Sequence, residues 1–464
     1  MNERNQMLAN EPVKQLLIKL SAPAMVGMMV NALYNLVDTF FVGRAVGKDA
    51  IAGLTVAMPI QMIIFAFAQL IGLGAASVIS RSLGSKDVEK ANHVAGISFV
   101  LVTLVGISSC ILGLMFIDPI LQSFSASGVV LEQARAYMGI IFIGNIFVTF
   151  TVSSNSLIRA EGNAKIAMIT MVIGTLINII LDPILIYGLK MGVRGAALAT
   201  VIAQFISFAF IIIYFLGGKS TLKLHAHHFK LRFDYIVEIV KVGFPSFARQ
   251  AAGSIMAIII NASLVYYGGN AALSAYGLIN KVIMFLFMPL FGIVQGMQPI
   301  VGFNYGAEKF DRVKKAIKLS IYSISIMLFA SWILLQVFPD FIFRLFLPYN
   351  GNEDVFAIGV PGIKTMMFAV PVIGIQIVSS SVYQALGKAK PALVLSLLRQ
   401  IILLTPLLLI LPKIPGLGLT GIWLAYPLSD LFSSIISGLM LKAEFRSMSK
   451  KSSELELDLA PQTS

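Results

Sequence analysis

Asn31-Ala-Leu-Tyr-Asn-Leu-Val-Asp-Thr-Phe-Phe-Val-Gly43 closes the first long apolar segment of the chain, and Asp38 sits inside it. An ionised carboxylate is costly in hydrocarbon, so Asp38 is expected to face protein or a water-filled cavity. A second acid, Asp182, lies in the fifth apolar segment within Asn178-Ile-Ile-Leu-Asp-Pro183. The rest of the chain says why these two acids are unusual. It has 464 residues, 57% apolar and only 12% charged, with a mean hydropathy of +0.87. Soluble domains carry about a quarter charged residues. The solvent for most of this surface is therefore lipid.

Working outward from that stretch, twelve apolar segments reach spanning length, each about 20 to 28 residues. They lie near 15–42, 49–77, 91–117, 134–158, 165–189, 193–216, 238–266, 271–300, 315–339, 358–386, 391–412 and 417–442. Barrel strands would be about 10 residues of alternating polarity, so the segments are expected as helices. The polar leader Met1–Lys19 runs into the first span, which is expected to target the chain without a cleavable signal. Cys110 is the only cysteine, which excludes an intrachain disulfide.

The net charge of +13 does not indicate nucleic acid, because the basic residues are dispersed over the loops. Of the 35 Lys and Arg residues, 24 fall on the side holding both termini, 8 on the opposite side, and Arg249, Lys281 and Arg399 inside spans. The bias places both termini in the cytoplasm. The longest polar connection, Gly217–Tyr235, holds three of the four histidines, His225, His227 and His228. A metal site there is one reading; a solvated basic linker is the expected one, since no metal-ligand motif is formed. The tail 446–464 is polar and expected to be disordered.

A shift of 222 residues aligns the two halves of the chain. Pro23 meets Pro245, Gly47 meets Gly269, Gly74 meets Gly296 and Gly84 meets Gly306. The expected architecture is an all-α membrane protein of twelve transmembrane helices in two pseudo-symmetric six-helix lobes, 1–216 and 237–445, joined by a linker at 217–236. Repeats of this kind place substrate between the lobes. Asp38 and Asp182 have apolar counterparts, Ile260 and Leu407, so the acidic pair belongs to the first lobe alone. By rise along the helix, Asp38, Asp182 and Thr200 share the outer half of that lobe. Asn178 precedes Asp182 by four residues and shares its helix face. Two neighbouring carboxylates in low dielectric cannot both stay ionised cheaply, so the cluster is expected to hold a proton or a hard cation such as Na⁺. The alternative is local capping for Asp38 and a lysine partner for Asp182.

Pro23, Pro245 and Pro183 each remove a helical hydrogen bond and permit bending, or are kinks tolerated by packing. Arg249 and Lys281 are expected to snorkel or to pair at the lobe interface. Arg399 and Asp430 are expected to pair with each other. No phosphate loop, nucleophile elbow or metal motif is present, so neither an ATP-driven pump nor an enzyme is supported, and no cofactor is expected.

The runs Tyr34-Asn-Leu-Val-Asp-Thr-Phe-Phe-Val-Gly43, Ile158-Arg-Ala-Glu-Gly162, Asn178-Ile-Ile-Leu-Asp-Pro-Ile-Leu-Ile-Tyr-Gly188 and Gly195-Ala-Ala-Leu-Ala-Thr200, with Pro23 in the first helix, resemble the multidrug and toxic compound extrusion (MATE) family over roughly 15–445. The DinF-like branch is the most similar. The resemblance implies a cation-coupled antiporter of the cell inner membrane that exports lipophilic, often cationic compounds against H⁺ or Na⁺ entry. It maps the coupling residues onto Asp38, Asn178, Asp182 and Thr200, with Tyr34 and Asn155 as polar neighbours. A monomer is expected. The runner-up is a lipid-linked precursor flippase of the same superfamily, which calls for a strongly basic cavity.

Overall fold

In lipid a backbone must satisfy its own hydrogen bonds, and a helix does so within one segment. The computed structural model describes residues 3–45, 48–124, 126–347 and 352–459; the side chains of 34–52, 346 and 456–459 lie outside the described residues. Among the described residues there is no strand. The helices in order are α1 (Glu3–Asn10), α2 (Val13–Ala45), α3 (Lys48–Gly84), α4 (Val88–Met115), α5 (Ile117–Ser123), α6 (Gly128–Ala160), α7 (Ala164–Pro183) and α8 (Val193–Leu216). Then follow α9 (Phe233–Gly306), α10 (Phe310–Val337), α11 (Pro339–Phe346), α12 (Glu353–Met366), α13 (Gly374–Ala385), α14 (Ala389–Leu397), α15 (Thr405–Ile410) and α16 (Gly418–Leu459).

Among the described residues, eleven helical segments are long and apolar enough to cross a membrane. One of them, α9, has 74 residues. A straight helix of that length would reach about 110 Å, against a hydrocarbon core of about 30 Å. Gly269 breaks it, with φ 66° and ψ −164°. Only a residue without Cβ enters that region readily. The two halves of α9 are the seventh and eighth spans, and the total is the twelve expected. Gly47, the counterpart of Gly269, lies outside the described residues.

The repeat is visible in the element bounds. The shift of 222 carries 88–115, the limits of α4, onto 310–337, the limits of α10. It also carries the start of α5 at 117 onto the start of α11 at 339. The same operation relates contacts between the halves. A Cβ on Gly84 would lie 1.9 Å from the Phe303 carbonyl oxygen, and one on Gly306 would lie 2.0 Å from that of Arg81. Gly84 maps onto Gly306 and Arg81 onto Phe303, so these are one contact repeated about a pseudo-two-fold axis. A second pair of close approaches, Gly74 against Ile239 and Gly296 against Ser21, joins α3 to the first half of α9 and the second half of α9 to α2.

Two segments, the linker and the tail, differ from expectation, and the polar leader adds a tie between the halves. The polar leader forms α1 and ties the halves together. Arg312 Nη2 donates to the carbonyls of Leu8 and Glu11 at 3.2 and 2.7 Å, while Arg4 Nη2 donates to that of Lys219 at 2.8 Å. The Gly217–Tyr235 linker is not a free solvated loop. Lys223 N–H donates to Asn92 Oδ1 at 3.0 Å, and Ser220 Oγ and Thr221 N–H donate to Glu161 at 2.7 and 2.6 Å. Gly96 lets the linker backbone close on α4, since a Cβ there would meet the His228 carbonyl at 2.4 Å. A carboxylate does lie beside the linker histidines: Glu89, remote in sequence, is 3.1 Å from both His227 and His228. The tail expected to be disordered continues α16 to Leu459, with Lys450 and Glu454 paired one turn apart.

Candidate functional site

The site starts at α7. Asn163 caps its N-terminus by accepting from Ile166 N–H at 3.3 Å, and an apolar run carries the helix to Asp182. Asn178 and Asp182 follow at a spacing of four and are 2% and 0% exposed. Thr200 faces them from α8. Its backbone N–H lies 3.1 Å from the Asn178 amide, and only an oxygen can accept it. Asn178 Oδ1 therefore faces Thr200, and Nδ2 donates to Asp182 Oδ2 at 3.0 Å. The Thr200 hydroxyl, 3.3 Å from the same amide oxygen, donates to the Ala196 carbonyl at 3.0 Å. Asn178, Asp182 and Thr200 are thus one connected polar group between two apolar helices.

Pro183 closes α7, and a π turn, Ile184–Gly188, follows at once. A widened turn next to a functional group is a familiar placement for such bulges. Pro23 and Pro245 lie inside α2 and α9 without interrupting either.

Two members of this group, Asn178 and Thr200, line a cavity of about 160 Å³ walled mainly by the first half of the chain, and Asp182 lies behind them, bonded to Asn178. Asn155 and Thr151 of α6 and Gln295 of α9 also line it. Asn155 Oδ1, Thr151 Oγ1 and Gln295 Oε1 are buried and have no hydrogen-bond partner among the described residues. Buried polar atoms of this kind are ordinarily satisfied by water, an ion or a ligand. The side chains of Asp38 and Tyr34 lie outside the described residues. The group brought together is therefore Asn178, Asp182 and Thr200, with Asn155 on the same cavity.

Sequence reasoning missed Arg159. Its place near a span end marked it as a loop cation, yet it lines the cavity and donates from Nη2 to Ser156 Oγ at 3.0 Å. The available signal was its spacing of four from Asn155 on α6. In the second half, the expected Arg399–Asp430 pair is present, with Nε to Oδ1 at 2.5 Å. Ser429 Oγ holds the Arg399 carbonyl at 2.8 Å, and the Tyr276 and Tyr426 hydroxyls meet at 2.8 Å. Lys281 is exposed and Arg249 half-buried.

A model of the MatE family matches residues 23–184 and 245–410, two stretches that begin 222 residues apart at Pro23 and Pro245. The chain is similar to the multidrug export protein MepA of Staphylococcus haemolyticus (strain JCSC1435), 30% identical over 402 residues covering 87% of each protein. It is 28% identical to MepA of Staphylococcus aureus (strain MSSA476) over 421 residues, 91% of this chain and 92% of that one. Among solved structures, a MATE protein in complex with MaL6 superposes with a TM-score of 0.92 at 26% identity, covering 97% of this chain and 100% of that one. A multidrug resistance MATE transporter in an outward-facing conformation gives 0.91 at 26% identity, covering 97% and 99%.

Proposed function

The chain belongs to the MatE family, and from that membership we propose that it is a multidrug efflux transporter of a bacterial inner membrane, exporting lipophilic, often cationic compounds against entry of H⁺ or Na⁺. The observation that carries the coupling step is the buried Asn178–Asp182–Thr200 group, whose Asn178 and Thr200 line the cavity while Asp182 is bonded to Asn178 behind them. Toward a cation it presents only oxygens. An empty site leaves a negative charge in low dielectric, and either a proton or Na⁺ relieves it.

Register supports adding Asp38. Gly27 of α2 lies against Met171 of α7. These helices are the first and fifth spans, so they run the same way through the membrane. Each acid follows that contact by eleven residues, about three turns along its own helix.

The state is read as outward-facing. The end of the bundle that carries both termini is closed by the backbone contacts of Gly84 and Gly306, and the Lys/Arg bias assigns that end to the cytoplasm. Cation uptake from outside neutralises the acids, changes the favoured packing of α2 against α7, and expels the compound. Coupling requires the cation and the compound to bind the two states with different affinity.

One observation favours the flippase reading: the Arg159 guanidinium, which could receive an anionic head group on the same cavity. The test is uptake of a fluorescent lipophilic cation into everted membrane vesicles under separate H⁺ and Na⁺ gradients. One gradient is expected to drive uptake, and Asp38→Asn and Asp182→Asn each to abolish it. Uptake driven by neither gradient, or normal in both variants, overturns the coupling site. Retention of a lipid-linked pyrophosphate by Arg159, lost in Arg159→Gln, would then favour the flippase.

A further inference from the structure

Four side chains unused by transport converge at the junction of α4 and the linker. Glu89 and His93 stand one turn apart on α4, and His227 and His228 descend from the linker. Glu89 Oε1 is 3.1 Å from His227 Nε2, 3.1 Å from His228 Nε2 and 3.4 Å from His93 Nδ1. Donor atoms of Glu89, His93 and His228 all lie within 4.8 Å of one another. Rings of this density on one carboxylate need an explanation beyond a solvated basic face.

We propose that Glu89, His93 and His227 form a site for a first-row divalent transition metal, Zn²⁺ or Ni²⁺, with His228 holding the carboxylate in place. The hydrogen bonds separate the roles. His225 N–H donates to His228 Nδ1 at 2.9 Å. The neutral His228 ring therefore carries its proton on Nε2 and donates it to Glu89. A ring that ligates through Nε2 keeps its proton on Nδ1, which the His225 contact forbids. His228 is 1% exposed, so it positions the carboxylate from inside. His93 Nδ1 and His227 Nε2 carry no such constraint.

Spacing about the carboxylate and exposure fit this assignment; the His93 and His227 rings stand 5.6 Å apart centre to centre, and the exposed His227 ring turns toward His93 to close the set. Tetrahedral ligands at about 2.0–2.1 Å from zinc stand about 3.3 Å apart. Glu89 Oε1 already stands 3.4 and 3.1 Å from the two ligating nitrogens. The His227 and Glu89 side chains are 53% and 64% exposed, so a fourth position faces water. That makes an open, exchanging site and not a closed structural one. Two imidazoles and one carboxylate favour Zn²⁺ or Ni²⁺ over Mg²⁺ or Ca²⁺, which want oxygen alone. A bound ion would fasten the segment joining the two halves to the first half, where Asn92 and Gly96 already hold it.

The test uses the full-length protein in detergent, with any affinity tag removed and chelator-stripped, titrated calorimetrically with Zn²⁺. One site per chain is expected. His93→Ala and His227→Ala should each weaken binding tenfold or more, and His225→Ala should leave it unchanged. Glu89→Gln keeps an acceptor for the rings, so its metal-free melting temperature should hold while affinity falls. Binding no stronger than in a His93→Ala/His227→Ala double variant overturns the site. So does wild-type affinity in Glu89→Gln. Equal loss in His225→Ala would mark a nonspecific histidine patch and equally refute it. Transport is not the readout, so failure of the coupling site would leave this result standing.

Discussion

Replacing Gly84 by alanine tests the closed end of the bundle most directly. The new Cβ would lie 1.9 Å from the Phe303 carbonyl oxygen and 2.9 Å from both the Phe303 carbonyl carbon and the Ala307 nitrogen. All three are backbone atoms, so no side-chain rotamer relieves the clash. Ordinary contact begins near 3.4 Å, so α3 and α9 must part by about 1.5 Å. Overpacking of this kind costs ~1–3 kcal/mol. The cost falls only on the state in which this end is shut, so the open state should gain about 5- to 150-fold in population. A single-cysteine protein, Cys110→Ala with Ser77→Cys, reports it, because Ser77 is buried on α3 two turns before Gly84, where it donates to the Gln384 carbonyl of α13 at 2.6 Å. Labelling by a membrane-impermeant maleimide in everted vesicles should accelerate by that factor. Gly306→Ala should behave alike, since its Cβ meets the Arg81 carbonyl at 2.0 Å. Wild-type labelling rate and thermal stability in Gly84→Ala would refute the seal. A response in one glycine variant and not the other would refute the pseudo-symmetric account.

Asn178→Leu removes the amide donor from Asp182 Oδ2, a loss of about 1–3 kcal/mol; gradient-driven uptake should fall at least tenfold at equal membrane expression, and undiminished uptake would contradict the cluster. Arg399→Leu strands the buried Asp430 and should cost ~3–5 kcal/mol in thermal unfolding, while adding Asp430→Leu should recover most of it; equal melting of single and double variants would argue against the pair. Glu161 is buried, and burial pushes its carboxyl above the ordinary 4.5 despite bonds from Tyr214, Ser220 and Thr221 and the nearby Arg4. A group raised in the folded state stabilises fully below its unfolded value, and that stability is lost as pH rises through the folded one. Melting temperature should therefore decline from about pH 4.5 upward in the wild type and less in Glu161→Gln; parallel profiles would refute this.

The spans were legible because hydropathy reports them directly. The internal repeat was legible as well, down to the glycine that divides the 74-residue α9. Asn178 and Asp182 were placed on one face by spacing alone, and Thr200 was brought to them by an estimate of depth. Other features were not readable. Arg159 counted as a loop cation until α6 was seen to turn it toward the cavity. Nothing in the sequence pointed the linker histidines at Glu89, 138 residues before His227, until α4 brought it to them. The tail looked too polar to order, yet it extends a helix already nucleated by the last span, so propagation needs no new nucleus.

From sequence alone follow the helices, their number, the two-fold repeat and the residues too polar for lipid. Helical hydrogen bonds close within a few residues, and lipid forbids the alternatives, so local composition is enough. The rotation of each helix about its axis, and the partner each face meets, came only from the tertiary structure. In a membrane the faces toward lipid and toward protein are both apolar, so hydropathy carries little information about which is which. The Asp182–Asn178–Thr200 group, the Gly84 and Gly306 seams and the Glu89 histidine cluster all rest on that lateral packing.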